Sequence, residues 1–182
     1  RRQRQMCIRD RRIGDTLQAA IGQSDSVFTP LQLAEYCAAV ANNGERHSAS
    51  ILKSIRNYDY SEKVYERQDE VLSTVESPQY NWDAIHEGMK EVINSPLNET
   101  NYLNFYDCAV TVAGKTGTAE KLAETGGYAA GKYIASFVGF VPADKPQYAM
   151  LIMLDTPQGA FYGSQVSAPV FRDTLQQILV AK

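Results

Sequence analysis

Two apolar runs, residues 134–141 and 148–154, flank the turn Pro142-Ala143-Asp144-Lys145-Pro146, and this pairing restricts the possible folds more than any other feature of the chain. So short a connection makes the two strands antiparallel neighbours, because a parallel return needs a crossover of about a dozen residues or more. Their near-continuous apolar character predicts burial on both faces, so other elements must lie above and below them. A helix predicted over residues 167–180, with Val170, Phe171, Leu175, Ile178 and Leu179 on one side, is suited to cover one of those faces. A further strand is expected over residues 108–119, followed by a glycine-containing loop.

Upstream the pattern is helical. Thr29-Pro30-Leu31-Gln32 opens a helix: Thr29 caps the free N–H groups, Pro30 loses nothing at the first position, and Gln32 completes a capping box. Leu33, Cys37 and Val40/Ala41 recur on one face, and Gly44 supplies a left-handed stop. A second helix is predicted over residues 78–93, capped by Ser77, with Trp82, Ile85, Met89 and Val92/Ile93 as its buried stripe and Asn94-Ser95-Pro96 as its end. Between the two helices, residues 51–56, 63–65 and 71–74 read as short strands forming an excursion at the edge of the domain. Helices, then an antiparallel sheet, then a covering helix make an α+β layer arrangement without internal repeats.

Charge narrows the function classes. Six Arg against one Asp give residues 1–12 a charge of +5, so residues 13–182 carry −8 within the total of −3. A nucleic-acid partner requires Lys and Arg massed along one face, which an acidic body with a short basic tip does not supply. Residues 1–12 have no apolar period and are expected to form a disordered basic tail. They are also similar to a translated sequencing adapter, so the domain is taken to run over residues 13–182. No window approaches the roughly 18 apolar residues of a membrane span, so any membrane anchor is expected outside this chain. Cys7, Cys37 and Cys108 have no metal-ligand spacing, and Cys37 reads as a small buried hydrophobe. His47 and His86 lack a second ligand at metal spacing and read as surface or satisfied core residues; no metal or other cofactor is expected. Trp82 and the tyrosine-rich 102–106 stretch read as packing.

The sharpest local feature is Ala113-Gly114-Lys115-Thr116-Gly117-Thr118-Ala119. A cation and two hydroxyls along one strand edge can hold a carboxylate, and Gly117 allows a ligand to lie against the backbone. A phosphate-binding loop is the weaker reading, because its first glycine would have to stand at Ala109 and because Ala109-Val110-Thr111-Val112-Ala113 is strand-like where such a loop must already be turning.

Five blocks in order give that motif a context. They are Ile21-Gly22-Gln23 with Thr29-Pro30-Leu31-Gln32-Leu33-Ala34; Ala41-Asn42-Asn43-Gly44; Glu87-Gly88-Met89-Lys90-Glu91-Val92; the stretch from Ala113 to Glu120; and Ser136-Phe137-Val138-Gly139-Phe140-Val141-Pro142-Ala143-Asp144. Over about residues 13–180 the chain resembles the C-terminal part of the transpeptidase domain of class B penicillin-binding proteins. The resemblance implies a penicillin-binding/serine β-lactamase-like transpeptidase fold, here incomplete, with an antiparallel sheet that carries the Lys-Thr-Gly strand and helices packed on it. It also implies acyl transfer: a serine attacks a D-alanyl-D-alanine stem peptide and passes the acyl group to an amine of a neighbouring strand. Lys115 would support the second-motif serine and the substrate. Thr116 and Thr118 would bind the terminal carboxylate, with Gly117 between them, and the Thr118 N–H would be one oxyanion donor. β-Lactams would enter the same groove as substrate mimics.

The family's Ser-x-x-Lys and Ser-x-Asn motifs are expected upstream of this chain, which alone should be inactive for lack of the nucleophile. Ser50-Ile51-Leu52-Lys53 matches the first as a string, but it falls in a β-leaning piece where positions i and i+3 face opposite ways, and reads as a chance match. Relatives show glycines across residues 94–107, where this chain has Pro96, Asn98 and several aromatics. The Asn98-Glu99-Thr100 sequon is incidental in a bacterial family. The parent is expected at the extracytoplasmic face of the bacterial membrane, with the N-terminal half of the domain, and division or elongation proteins, as partners. The alternative is a non-catalytic β-lactam sensor or a degenerate scaffold domain.

Overall fold

The computed structural model describes residue 17, residues 28–123 and residues 128–181. The expectations for residues 1–12, for the 21–23 block and for the loop at 124–127 lie outside the described residues. Helix α1 spans Pro30–Ala41 and begins as its chemistry requires: Gln32 N donates to Thr29 Oγ1 at 3.2 Å, and Thr29 N donates to Gln32 Oε1 at 2.9 Å. Cys37, Val40 and Ala41 form its buried face. The left-handed stop is shared, with Asn43 at φ 54° and Gly44 at φ 100°.

The excursion follows. Strands β1 (Glu45–His47), β2 (Ser54–Arg56), β3 (Lys63–Glu66) and β4 (Val71–Thr74) form two separate antiparallel ladders, β1 with β4 and β2 with β3. Every residue of β3 and β4 is exposed. These strands are hydrogen-bonded flaps rather than part of a core.

Helix α2 covers Gln79–Asn94. Its N-cap is Pro78, which brings no side-chain cap, and Ser77 Oγ instead accepts from the Asn81 side chain at 3.0 Å, so the expected Ser77 cap is corrected. Trp82 and Ile93 are buried, and Met89 and Val92 pack on the core, but Ile85 is 43% exposed and leaves the predicted stripe.

The 94–107 segment is not a plain loop. It contains helix α3, Glu99–Phe105, with Asn101 and Phe105 buried. Seven residues with two Asn and a Thr have little helical preference of their own. Tertiary contact holds them, since the Phe105 ring stacks on Phe137 at 5.3 Å and meets Phe171 edge-on at 6.1 Å.

Strands β5 (Ala113–Leu122), β6 (Tyr128–Val141) and β7 (Tyr148–Asp155) form the antiparallel sheet in the order β5-β6-β7. The expected strand beginning at residue 108 starts five residues later. Cys108, Val110 and Val112 are apolar because they pack on the core as irregular chain, not because they pair. Helix α4 runs over Gly163–Val180, four residues earlier than expected, and Val170 turns outward at 43% exposure.

Both sheet faces are covered. Phe137 and Val141 meet Ile93, Phe105, Val112, Phe171 and Leu175 on the face beneath α4. Phe140 and Ala113 meet Cys37, Val40 and Ala41 of α1 on the other. The two-faced burial inferred from the apolar runs is what the alternation of β6 delivers, odd residues toward α4 and even ones toward α1.

Candidate active site on strand β5

The Lys-Thr-Gly segment is extended strand from Ala113 onward, paired on one side with β6 through Lys115↔Val138, Thr116↔Phe137, Gly117↔Ser136 and Thr118↔Ala135. Among the described residues no strand pairs with the opposite edge of β5. An edge of this kind offers backbone donors and acceptors to a ligand.

Two glycines lie close to their cross-strand neighbours. A Cβ on Gly114 would lie 2.7 Å from the Phe137 ring, and one on Gly117 would lie 2.5 Å from Ser136 Oγ. At Gly114 the obstacle is a buried ring with the Val138 carbonyl oxygen behind it at 3.0 Å, which leaves room only for hydrogen, whereas at Gly117 it is a hydroxyl that can rotate away.

Cross-strand partners share a face. Val138 packs with the α1-side cluster and Phe137 belongs to the α4-side cluster. Lys115 accordingly leaves the sheet on the α1 side, and Thr116 and Thr118 leave it together on the α4 side. One strand carries all three groups, but its two faces divide the cation from the hydroxyls. Lys115 is exposed, and its Nζ donates to the Thr116 carbonyl at 2.8 Å, which holds the ammonium against the main chain of the strand.

A further residue, not foreseen from the sequence, completes the geometry. Gly163 is buried as the first residue of α4, and its N–H donates to Thr118 Oγ1 at 3.1 Å. A Cβ there would overlap the Ser136 carbonyl oxygen and lie 2.6 Å from Gly117 O. The only sequence signal is a glycine four residues ahead of the helix expected over residues 167–180. Two hydroxyls on one face, an exposed cation on the same strand and the N-terminal end of an 18-residue helix against it suit an anionic ligand. The extended backbone is incompatible with a phosphate-cradling turn.

Other candidates separate from this site. Ser50 Oγ accepts from Leu52 N and donates to Leu52 O, both at 3.1 Å, in non-helical chain, so Ser50 and Lys53 are not a helical pair. His86 reaches from α2 to α1 and β6, with Nε2 2.7 Å from Val40 O and its ring 5.1 Å from Phe140. His47 Nδ1 pairs with Asp69 at 2.6 Å. Tyr102 and Tyr106 face each other at 6.1 Å, and Trp82 packs over Gly44. Burial pushes the Cys37 thiol up to about 12 and the half-buried Cys108 thiol upward as well.

Residues 8–176 match the family model of the penicillin binding protein transpeptidase domain. Stage V sporulation protein D of Bacillus subtilis is 30% identical over 174 residues, covering 92% of this chain and 26% of that protein. The peptidoglycan D,D-transpeptidase MrdA of Haemophilus influenzae is 32% identical over 177 residues, covering 91% and 26%. Among solved structures, penicillin-binding protein 2B from Streptococcus pneumoniae strain R6 superposes with a TM-score of 0.74 at 26% identity, covering 92% of this chain and 27% of that one. Pseudomonas aeruginosa PBP2 in complex with WCK 5153 gives 0.71 at 28% identity, covering 97% and 36%. The chain thus spans about a quarter of the length of these curated relatives.

Proposed function

The chain belongs to the penicillin-binding protein transpeptidase family, and from that premise we propose that it forms the C-terminal part of a peptidoglycan-cross-linking D,D-transpeptidase domain and supplies the substrate-binding wall of its groove. The observation that carries the reading is the placement of Thr116 and Thr118 on one face of an open strand edge, with exposed Lys115 held against the main chain of the same strand.

In this reading the two hydroxyls hold the terminal carboxylate of a D-alanyl-D-alanine stem peptide, or of a β-lactam. Lys115 adds positive charge, supporting both that anion and a serine contributed by the rest of the domain. Gly117 brings substrate close to the backbone. The Thr118 N–H donates to the oxyanion that forms as the serine attacks the carbonyl, where a preorganised donor acts in the transition state rather than in the ground state. Covalent catalysis then needs a nucleophile and a base one helical turn apart. Ser50 and Lys53, outside any helix, do not form such a pair. The parent acts on the outer side of the cytoplasmic membrane, where its substrate lies, beside partners in wall synthesis.

The test is acylation by a fluorescent penicillin. The complete protein should label, Lys115→Ala should slow labelling about a hundredfold or more, and the chain alone should not label. Stable labelling of the chain alone, abolished by Ser50→Ala, would overturn the reading. Labelling of the complete protein without turnover of a stem peptide would favour a β-lactam sensor.

A further inference from the structure

Pro169 stands inside helix α4. In an α-helix each carbonyl accepts from the N–H four residues further on, and a proline has no N–H to give and crowds the carbonyl it faces. The ladder is therefore interrupted at the Gln165 carbonyl, and the first turn of α4 is joined to the rest of the helix less firmly than an unbroken ladder would join it. Its N-cap, Tyr162, adds no side-chain bond. Yet this turn meets the motif strand directly: the Gly163 N–H donates to Thr118 Oγ1 at 3.1 Å, and a Cβ on Gly163 would stand 2.6 Å from the Gly117 carbonyl oxygen.

A hold on that turn comes from the α3 segment. The half-buried Asn104 side chain donates from Nδ2 to the Ser164 carbonyl at 2.8 Å. Two further contacts from the same segment land beyond the proline, Phe105 edge-on against Phe171 at 6.1 Å and Asp107 accepting from Arg172 at 2.8 Å. Of these three, only the Asn104 bond reaches the turn that faces β5. The positive end of a helix dipole is made by its first N–H groups, and its influence falls off within one turn. An anion held at the edge of β5 therefore responds to where that turn stands.

We propose that Asn104 is a positioning residue for anion recognition: its bond to the Ser164 carbonyl holds the proline-separated first turn of α4 against the Lys-Thr-Gly strand. This rests on the carboxylate-binding role given to that strand edge above. It adds that the wall of the groove is braced from α3, by a side chain that acts through the start of α4.

The experiment measures acylation of the complete protein by a fluorescent penicillin, with thermal midpoints and amide hydrogen exchange on the same variants. Asn104→Leu keeps the size of the side chain and removes its donor, and should lower the acylation rate constant by about tenfold, the upper range of one neutral hydrogen bond. Exchange should quicken over residues 163–168, while residues 170–180 exchange as in wild type. Asp107→Ala removes the ion pair beyond the proline and should leave the rate within about twofold of wild type, whatever it does to the midpoint. A loss in Asp107→Ala as large as that in Asn104→Leu, exchange quickened along the whole of α4, or a loss in Asn104→Leu smaller than about threefold overturns the proposal. If the leucine protein does not fold, Asn104→Ala removes the same donor and carries the same requirements. Wild type that fails to acylate condemns the transpeptidase reading itself; wild type that acylates at a rate insensitive to Asn104 condemns only this inference.

Discussion

Gly44 shows how one residue links conformation to packing. Its φ of 100° lies where L side chains are strained, and a Cβ would stand 2.5 Å from the Val75 carbonyl oxygen and 2.7 Å from the Trp82 ring. Gly44→Ala should therefore destabilise the complete protein by about 2 kcal/mol or more, read as a lower urea midpoint with unchanged slope. Cys37 makes a second case. Burial lifts its thiol from 9.0 to about 12, so the folded protein keeps it neutral where the unfolded chain ionises. The unfolded state then binds fewer protons than the native state between pH 9.0 and about 12, and stability falls as pH rises through that window, by at most about 1.4 kcal/mol per pH unit. Mass-spectrometric mapping at pH 8 should find Cys37 unmodified by iodoacetamide until denaturant is added; rapid native modification would refute the burial.

At the scale of elements, α1 and α3 differ in kind. The start of α1 is encoded locally, because capping box, proline and glycine act within a few residues of one another. Helix α3 is encoded by what Phe105 reaches, two aromatic rings from β6 and α4 that are distant in sequence. Phe105→Ala should cost about 3–5 kcal/mol and loosen α3, with faster hydrogen exchange at 99–105 in the complete protein; a drop below about 1 kcal/mol would mean the ring is not the anchor. The same dependence on remote contacts explains why residues 108–112 look like strand and are not. Their apolar character records burial, and burial alone does not distinguish a paired strand from packed irregular chain.

For the molecule as a whole, edges matter most. Among the described residues β7 has a strand neighbour only at β6, and the flaps β1–β4 and β2–β3 expose Ile51, Ile55, Tyr58, Val64 and Val71. Unpaired strand edges and apolar patches associate with other chains, so the isolated chain should self-associate in sedimentation velocity; a monodisperse, cooperatively melting monomer would contradict this. What could be read in the sequence was whatever neighbouring residues decide among themselves: the antiparallel return at residues 142–146, the capped start of α1, the two-faced burial of β6 and the motif strand with its cation and hydroxyls. The packing of Phe105, the burial of Gly163 and the division of Lys115 from Thr116 and Thr118 between two faces were settled by the tertiary structure. Those outcomes depend on register and on contact between segments dozens of residues apart. Pattern along one segment constrains which side chains share a face, but only the assembled layers determine what each face meets.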